Sequence, residues 1–264
     1  PGIKNAGDGN TGFYVRGGGP DQNLILLDEA NVYNPSHLLG FFSVFNGDAI
    51  KNVNLFKGNM PAQYGGRLSS VLDISTKDGN NQNFEVSGGI GVIASRLTIQ
   101  GPIIKNKCSF IVSARRTYVD VVAKPWIEKS DFKGTSYFFY DLNGKINYIV
   151  NDKNRLYLSG YFGRDKFVYS DNESGFSTKI PWGNASACLR WNHIYNNKLF
   201  SNVSAVFTNY DFSFGGKQQD FEAIVQSGIT DYTLKYDFSY FPNSRHTIKT
   251  GINYIFHTFM PTSV

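Results

Sequence analysis

Ser136-Tyr-Phe-Phe-Tyr-Asp-Leu-Asn-Gly-Lys-Ile-Asn-Tyr148 is the stretch on which the reading of the fold turns. Phe138, Tyr140, Leu142, Ile146 and Tyr148 fall on one face, and Asp141, Asn143, Lys145 and Asn147 on the other. That is a period of two, the signature of an extended strand. Working outward, Tyr232, Leu234, Tyr236, Phe238 and Tyr240 alternate with Asp231, Thr233, Lys235, Asp237 and Ser239. Ile248, Ile252, Tyr254 and Phe256 oppose Lys249, Gly251 and Asn253, and Ala185, Ala187, Leu189 and Trp191 oppose Asn184, Ser186, Arg190 and Asn192. Alternation alone fits a soluble sandwich as well as a membrane barrel, because both keep one apolar and one polar face. The lengths favour the barrel, since the segments run to about 9–15 residues, long for a globular strand and suited to a tilted membrane crossing.

About nine such strands follow one another, over residues 84–91, 95–102, 107–116, 136–150, 154–165, 183–196, 198–213, 224–241 and 245–259. Short turns at 151–153, 196–198 and 242–245 alternate with long connections at 117–135, 166–182 and 215–223. Outer-membrane barrels have this asymmetry, with tight periplasmic turns and long external loops. The first hairpin, near Val92 and Ala94, is short although it belongs to the external side. Phe138, Phe139 and Tyr140 at one end, and Tyr195, Phe200, Tyr240 and Phe241 at the other, are candidates for interfacial girdles.

Composition agrees with this picture. Of 264 residues 41% are hydrophobic, 16% aromatic and only 18% charged, and mean hydropathy is -0.29. No apolar run approaches the roughly 18 residues of a spanning helix, which excludes a helical membrane protein but not a barrel. The net charge of +5 is dispersed, without a basic run, and gives no nucleic-acid footprint. Two cysteines, Cys108 and Cys188, do not make a disulfide framework or a zinc site. No basic and apolar leader precedes Pro1 and Gly2, so the expectation is a mature or truncated segment.

Soluble-enzyme signals fade on inspection. Gly89-Ile-Gly-Val-Ile-Ala94 fits a dinucleotide fingerprint, but Arg96, Thr98 and Gln100 alternate with Leu97 and Ile99 where a phosphate-binding helix should start. A tight hairpin is expected instead. His37, His193, His246 and His257 lack metal spacing, and no nucleophile-elbow pattern marks out a catalytic set. No catalytic residue, metal ligand or cofactor is therefore assigned.

Residues 1–79 have a different grammar and read as a small α+β domain, with strands at Asn23–Leu27, 53–57 and 71–76 and a helical turn at 47–52. Here stand Phe13-Tyr-Val-Arg-Gly-Gly-Gly19, Asn23-Leu-Ile-Leu-Leu-Asp-Glu-Ala-Asn-Val-Tyr33, Ile50-Lys-Asn-Val-Asn-Leu-Phe-Lys-Gly58 and Met60-Pro-Ala-Gln-Tyr-Gly-Gly-Arg-Leu-Ser-Ser-Val-Leu-Asp-Ile-Ser-Thr-Lys-Asp-Gly79. In this order they resemble the plug of TonB-dependent outer-membrane receptors, especially those of Bacteroidetes. The resemblance covers about a third of the chain and runs on into a glycine-rich first strand and the Gly101-Pro102 pair. It departs at Glu29, where the family usually has glycine after the aspartate, and differs in detail from the starch-utilisation subfamily.

The resemblance implies a membrane all-β barrel of about 22 strands, of which this chain has the plug (residues 1–79) and the first strands (residues 80–264). It implies localisation in the bacterial outer membrane, among outer-membrane lipids. It further implies import of a specific ligand, driven by TonB through an N-terminal box absent from this chain, with room for a surface lipoprotein partner. Arg16 and Gly17 mark a sharp backbone turn from which a guanidinium can reach a carboxylate or the barrel wall. Asp28 closes the Leu-Asp strand, and Gly58, Gly65 and Gly66 are expected to supply positive φ or close approach. Tyr64 and Arg67 are expected to face the lumen, and Gly79 ends the plug. The loop after the Leu-Asp strand offers ligand contacts at Tyr33, Asn34, His37, Phe41 and Phe42. Two non-enzymatic alternatives stay open, a passive porin and a barrel serving a surface binding or assembly complex without active transport. An outer-membrane hydrolase is the enzymatic rival.

Overall fold

The computed structural model describes residues 2–5 and 12–263. The N-terminal region holds β1 (Ile3–Asn5), β2 (Phe13–Val15), β3 (Asn23–Leu27), β4 (Ala30–Asn31), β5 (Ser36–His37), β6 (Phe42–Ser43), β7 (Ile50–Phe56) and β8 (Ser70–Thr76). Beyond it come β9 (Glu85–Ile90), β10 (Ala94–Ile104), β11 (Cys108–Thr117), β12 (Ser136–Asn151), β13 (Asn154–Asp171), β14 (Phe176–Asn196), β15 (Leu199–Gln218), β16 (Phe221–Asn243) and β17 (His246–Ser263).

The N-terminal domain is built on a sheet of order β4-β3-β8-β7, in which β3 and β8 run parallel. The continuous apolar run Leu24-Ile-Leu-Leu27 suits such a strand, which is covered on both faces. Ile25, Leu27, Val32, Val44 and Ile74 form its core, and Tyr161 of β13 completes it from the barrel side. The expected helical turn at 47–52 is instead a short turn over residues 47–49. The Asn46 side chain accepts from the Asp48 N–H (3.1 Å), and the chain is already extended at Ile50. Lys77 N–H donates to the Ala49 carbonyl (2.8 Å), so pairing with the end of β8 wins over local helical preference. The helical elements described in this domain are single 3-10 turns at Pro20–Gln22 and Leu38–Gly40.

β9 to β17 form one nine-stranded antiparallel sheet in sequential order. The glycine-rich stretch is the expected hairpin, with Ile90 opposite Ser95 and Gly91 N–H donating to the Ala94 carbonyl (2.9 Å). The sense of burial settles what the alternation leaves open. On β12 the polar residues Asp141 and Lys145 are 2% and 5% exposed, whereas Leu142 is 47% exposed. On β16 Asp231 is 1% exposed and Leu234 56%. A soluble sandwich would bury the apolar face; this sheet buries the polar one and turns the oily face outward, as a lipid-facing barrel wall does. Among the described residues no helix is long and apolar enough to cross a membrane.

Two connections differ from expectation. The stretches 166–182 and 215–223 are not long loops, because the ladders continue from Lys166↔Pro181 to Asp171↔Phe176 and from Gly215↔Ile224 to Gln218↔Phe221. Ladder bonds use only backbone groups, so the strands run on where the alternating apolar signal has already stopped. The connection 118–135 is a true excursion, carrying the single-turn helices α1 (Val119–Val122) and α2 (Lys124–Ile127). The short turns at the opposite end share one device. Asn151, Asn196 and Asn243 each accept, through the side-chain oxygen, from the N–H two residues on, at Lys153, Lys198 and Arg245 (3.0, 2.9 and 3.0 Å). Among the expected girdle residues Phe138 and Tyr140 stack outward (6.5 Å between rings), but Phe139 points inward and is fully buried, because the strand period places it opposite them.

If the outer face meets lipid, Leu234→Arg in the full-length protein should destabilise the bilayer-inserted barrel by roughly 2–4 kcal/mol. Equilibrium unfolding in phospholipid vesicles measures this, and an unchanged midpoint would mean that this face is covered by protein.

Candidate functional site: the seam between plug and barrel

β5 and the turn after it push His37 against the inner wall, where it is sealed from solvent. Its Nε2 lies 2.6 Å from Asp141 Oδ1 and its Nδ1 2.5 Å from Asp165 Oδ2. Ionised carboxylates only accept, so donating to both requires both ring nitrogens to carry protons, which is the charged imidazolium. Burial alone lowers the pKa of this imidazole, but the hydrogen bonds and charges of Asp141 and Asp165 outweigh it, and the net shift is upward. Arg115 adds a second cation, its Nε donating to Asp141 (2.7 Å) while its Nη2 reaches the Ser43 carbonyl (2.7 Å). Two cations thus face two carboxylates. Tyr161 donates to Asp141 (2.8 Å), Tyr137 donates to Asp165, and the His37 ring stacks on Phe139 at 4.0 Å, 5° from parallel. Leu38, at φ 48, is held in the left-handed region with its N–H on Asp165 (3.1 Å).

A second anchor grows from the β3–β4 turn. Leu27 pairs with Ala30, and the two residues between, Asp28 and Glu29, have φ of 46° and 74°, the left-handed pair of a two-residue hairpin. Glycine suits the second position best, which accounts for the family's usual residue there. Glu29 takes it and reaches Arg190 (3.2 Å) and Lys235 (3.3 Å) on the wall. Asp28 accepts from the Thr76 N–H (3.0 Å) and hydroxyl, and Lys145 sits 3.5 Å from Asp28 and 3.1 Å from Asp78. Further along the seam, Tyr33 donates to Asp231, which His257 also contacts (2.6 Å). Asn184 donates to the Asn34 carbonyl (2.8 Å), and Asn46 donates to Ser113 (2.7 Å).

The residues singled out in sequence therefore separate. Tyr33, Asn34 and His37 grip the wall. Phe42 packs on Phe139 (5.7 Å between rings), and Phe41 is 62% exposed at the tip. Burial, followed by the Asp231 hydrogen bond, raises the Tyr33 phenol. Tyr64 turns back into the plug rather than toward the lumen. It donates to Asp73 (2.9 Å), and burial, reinforced by the Asp73 charge, pushes it up to about 12. Arg67 is exposed beside a 140 Å³ cavity shared with Tyr33 and Asn31. Arg16, at φ 49, lies over Gly58 with its Nη1 2.5 Å from where a Cβ would stand, instead of reaching the barrel wall. Gly17, Gly58, Gly66 and Gly79 have positive φ, and a Cβ at Gly79 would meet the Phe110 carbonyl at 2.3 Å. Gly65 has neither a positive φ nor a close neighbour, contrary to expectation. Asp141, Lys145, Arg190, Asp231 and Lys235 are visible in sequence only as the polar face of their strands and Asp165 carries no signal at all, since nothing local tells which plug atom each will meet.

A polar-walled sheet with an oily exterior and a separate domain seated inside defines an outer-membrane barrel with a plug. Residues 1–71 match the family described as the TonB-dependent Receptor Plug Domain, and the whole chain has the fold of the plug and partial barrel of TonB-dependent receptors, which are proteins of the bacterial outer membrane. No curated protein sequence matches it. Similar solved structures include the FrpB iron transporter from Neisseria meningitidis (F3-3 variant), with a TM-score of 0.71 at 15% identity over 99% of this chain and 45% of that one. The ferric-catecholate import receptor Fiu from Escherichia coli gives 0.69 at 13% identity, over 98% and 45%. The siderophore receptor PirA from Acinetobacter baumannii gives 0.66 at 16%, over 98% and 44%. At such identities the likeness is one of fold, and the chain spans less than half the length of these structures.

His37→Ala should leave Asp141 with Arg115 alone and Asp165 with no cation among the described residues, and loosen the plug by roughly 3–5 kcal/mol. In the native protein, a histidine whose folded pKa lies above its ordinary 6.5 contributes fully below that value and loses its contribution as pH rises through the folded pKa. Plug attachment, followed by limited proteolysis of the full-length receptor, should therefore weaken at rising pH, and His37→Ala should flatten that dependence.

Proposed function

We propose that this chain is the gated half of a transporter that imports a specific ligand across the outer membrane, energised by TonB through a box outside the chain. Residues 1–79 act as the plug and residues 80–264 as wall. The observation that carries this reading is the character of the seam. Hydrogen bonds and ion pairs, Asn46 to Ser113, Asn34 to Asn184 and Glu29 to Arg190 and Lys235, run along it between small apolar contacts at Ala30, Phe42 and Tyr161. Such polar contacts can be exchanged for hydrogen bonds to water when the plug is pulled and water enters the seam.

The ligand meets the plug at Phe41 and Phe42, opposite Phe167, Ile180 and Phe212 of the wall, which pack around the buried Tyr137, Phe139 and Trp182. Tyr33, Asn34 and His37 act on the ligand through the barrel groups they hold. The fold relatives named above carry iron or siderophore in their names, and an aromatic rim is compatible with such cargo without selecting it. A surface lipoprotein would cap this rim. A binding or assembly role without active transport is the competing reading.

Ser113, sealed behind Asn46, tests the choice. In cells carrying the full-length receptor, Ser113→Cys should react with a periplasmic maleimide only while the proton gradient stands and TonB is present. Labelling that ignores a protonophore would favour the non-transporting reading.

A further inference from the structure

The wall's outer face carries a groove of about 980 Å³ that the transport reading does not use. Its floor and sides follow from register. Ala114 of β11 lies between Leu97 of β10 and Leu142 of β12, with Phe162 one strand further, so a small side chain sits among large ones. One step nearer the external loop, on the same face of β11, Arg116 lies opposite Tyr140 and over the Phe138 ring at 5.2 Å. The groove is thus apolar along its length and cationic at its external end.

Arg116 is exposed, and the carboxylate it meets is Asp120, at 3.2 Å on the protein's outer surface. Further cations lie on the same face beyond the oily band. Lys166 stands opposite Phe138, Lys179 stands opposite Val168, and neither has an ion-pair partner among the described residues. Arg164, opposite Tyr140, is paired with Asp211. Four cations against two carboxylates leave an anion-attracting rim above an apolar slot.

We propose that this groove holds one phosphorylated lipid of the external leaflet, its acyl chain lying over Ala114 between Leu97 and Leu142 and its phosphate on Arg116, with Lys166 and Lys179 flanking. An acyl chain alone would fill the slot without using the guanidinium, and a free phosphate would use the guanidinium without needing the slot. Only a molecule carrying both ends satisfies both halves. The inference rests on the outer-membrane placement of the chain and is independent of whether the receptor transports.

The test uses the full-length receptor in phosphatidylcholine nanodiscs doped with diphosphoryl lipid A, with retained lipid A counted by native mass spectrometry after transfer to detergent. The native receptor should keep one molecule. Ala114→Phe, which fills the slot, and Arg116→Ala, which removes the charge, should each lower occupancy roughly five-fold. Lipid A stripped of its phosphates should be lost from the native receptor as readily as lipid A is from Arg116→Ala. Leu234→Ala, on the same outer face but away from the groove, should retain lipid as the native protein does. Equal retention by native, Ala114→Phe and Arg116→Ala receptors would overturn the proposal and leave only annular lipid. Failure of the receptor to fractionate with the outer membrane would instead remove the premise.

Discussion

Within a bilayer no water is available to a backbone N–H or carbonyl, so every strand of this wall must find its partners in its neighbours. That constraint sets the uninterrupted order β9 to β17, whose ladders also continue beyond the oily band to Asp171↔Phe176 and Gln218↔Phe221. It also fixes what side chains do. With the backbone satisfied within the sheet, alternate residues are free to face lipid or lumen, and Leu142 and Asp141 divide that work between adjacent positions.

The lumen then poses its own problem, because a polar wall covered by a plug buries charge. Buried ions cost several kcal/mol each unless paired and hydrogen-bonded. The solution here is near-complete matching. His37 and Arg115 face Asp141 and Asp165, Lys145 faces Asp28 and Asp78, and Glu29 faces Arg190 and Lys235. Pairing of this kind adds little net stability compared with an apolar core, yet it makes any other seating of the plug expensive, since a shifted plug would strand several ions at once. The seam is therefore selective for one docked position and still separable once water can enter.

Glu29 shows how a backbone requirement and an electrostatic one meet in one residue. The turn calls for left-handed φ at this position, and a carboxylate there accepts some backbone strain in exchange for two cations of the wall. The departure from glycine, visible in sequence only as an irregularity, is one of the points where plug and barrel are joined.

The sequence by itself determined the strand period, the approximate count of the wall strands, the positions of the short turns, the β3 strand and the family resemblance of the plug. All are written in residues close to one another along the chain. Only the tertiary structure decided that the polar face is the buried one, that residues 166–182 and 215–223 belong to continuing ladders, and that residue 50 is strand rather than helical turn. It alone decided that Tyr64 bonds back to Asp73 and that His37 sits between two aspartates 104 and 128 residues away. Periodicity is a local property and survives in one dimension, whereas the partner of a buried charge is chosen by the curvature of the sheet and the seating of a separate domain, which bring together residues that the sequence holds far apart.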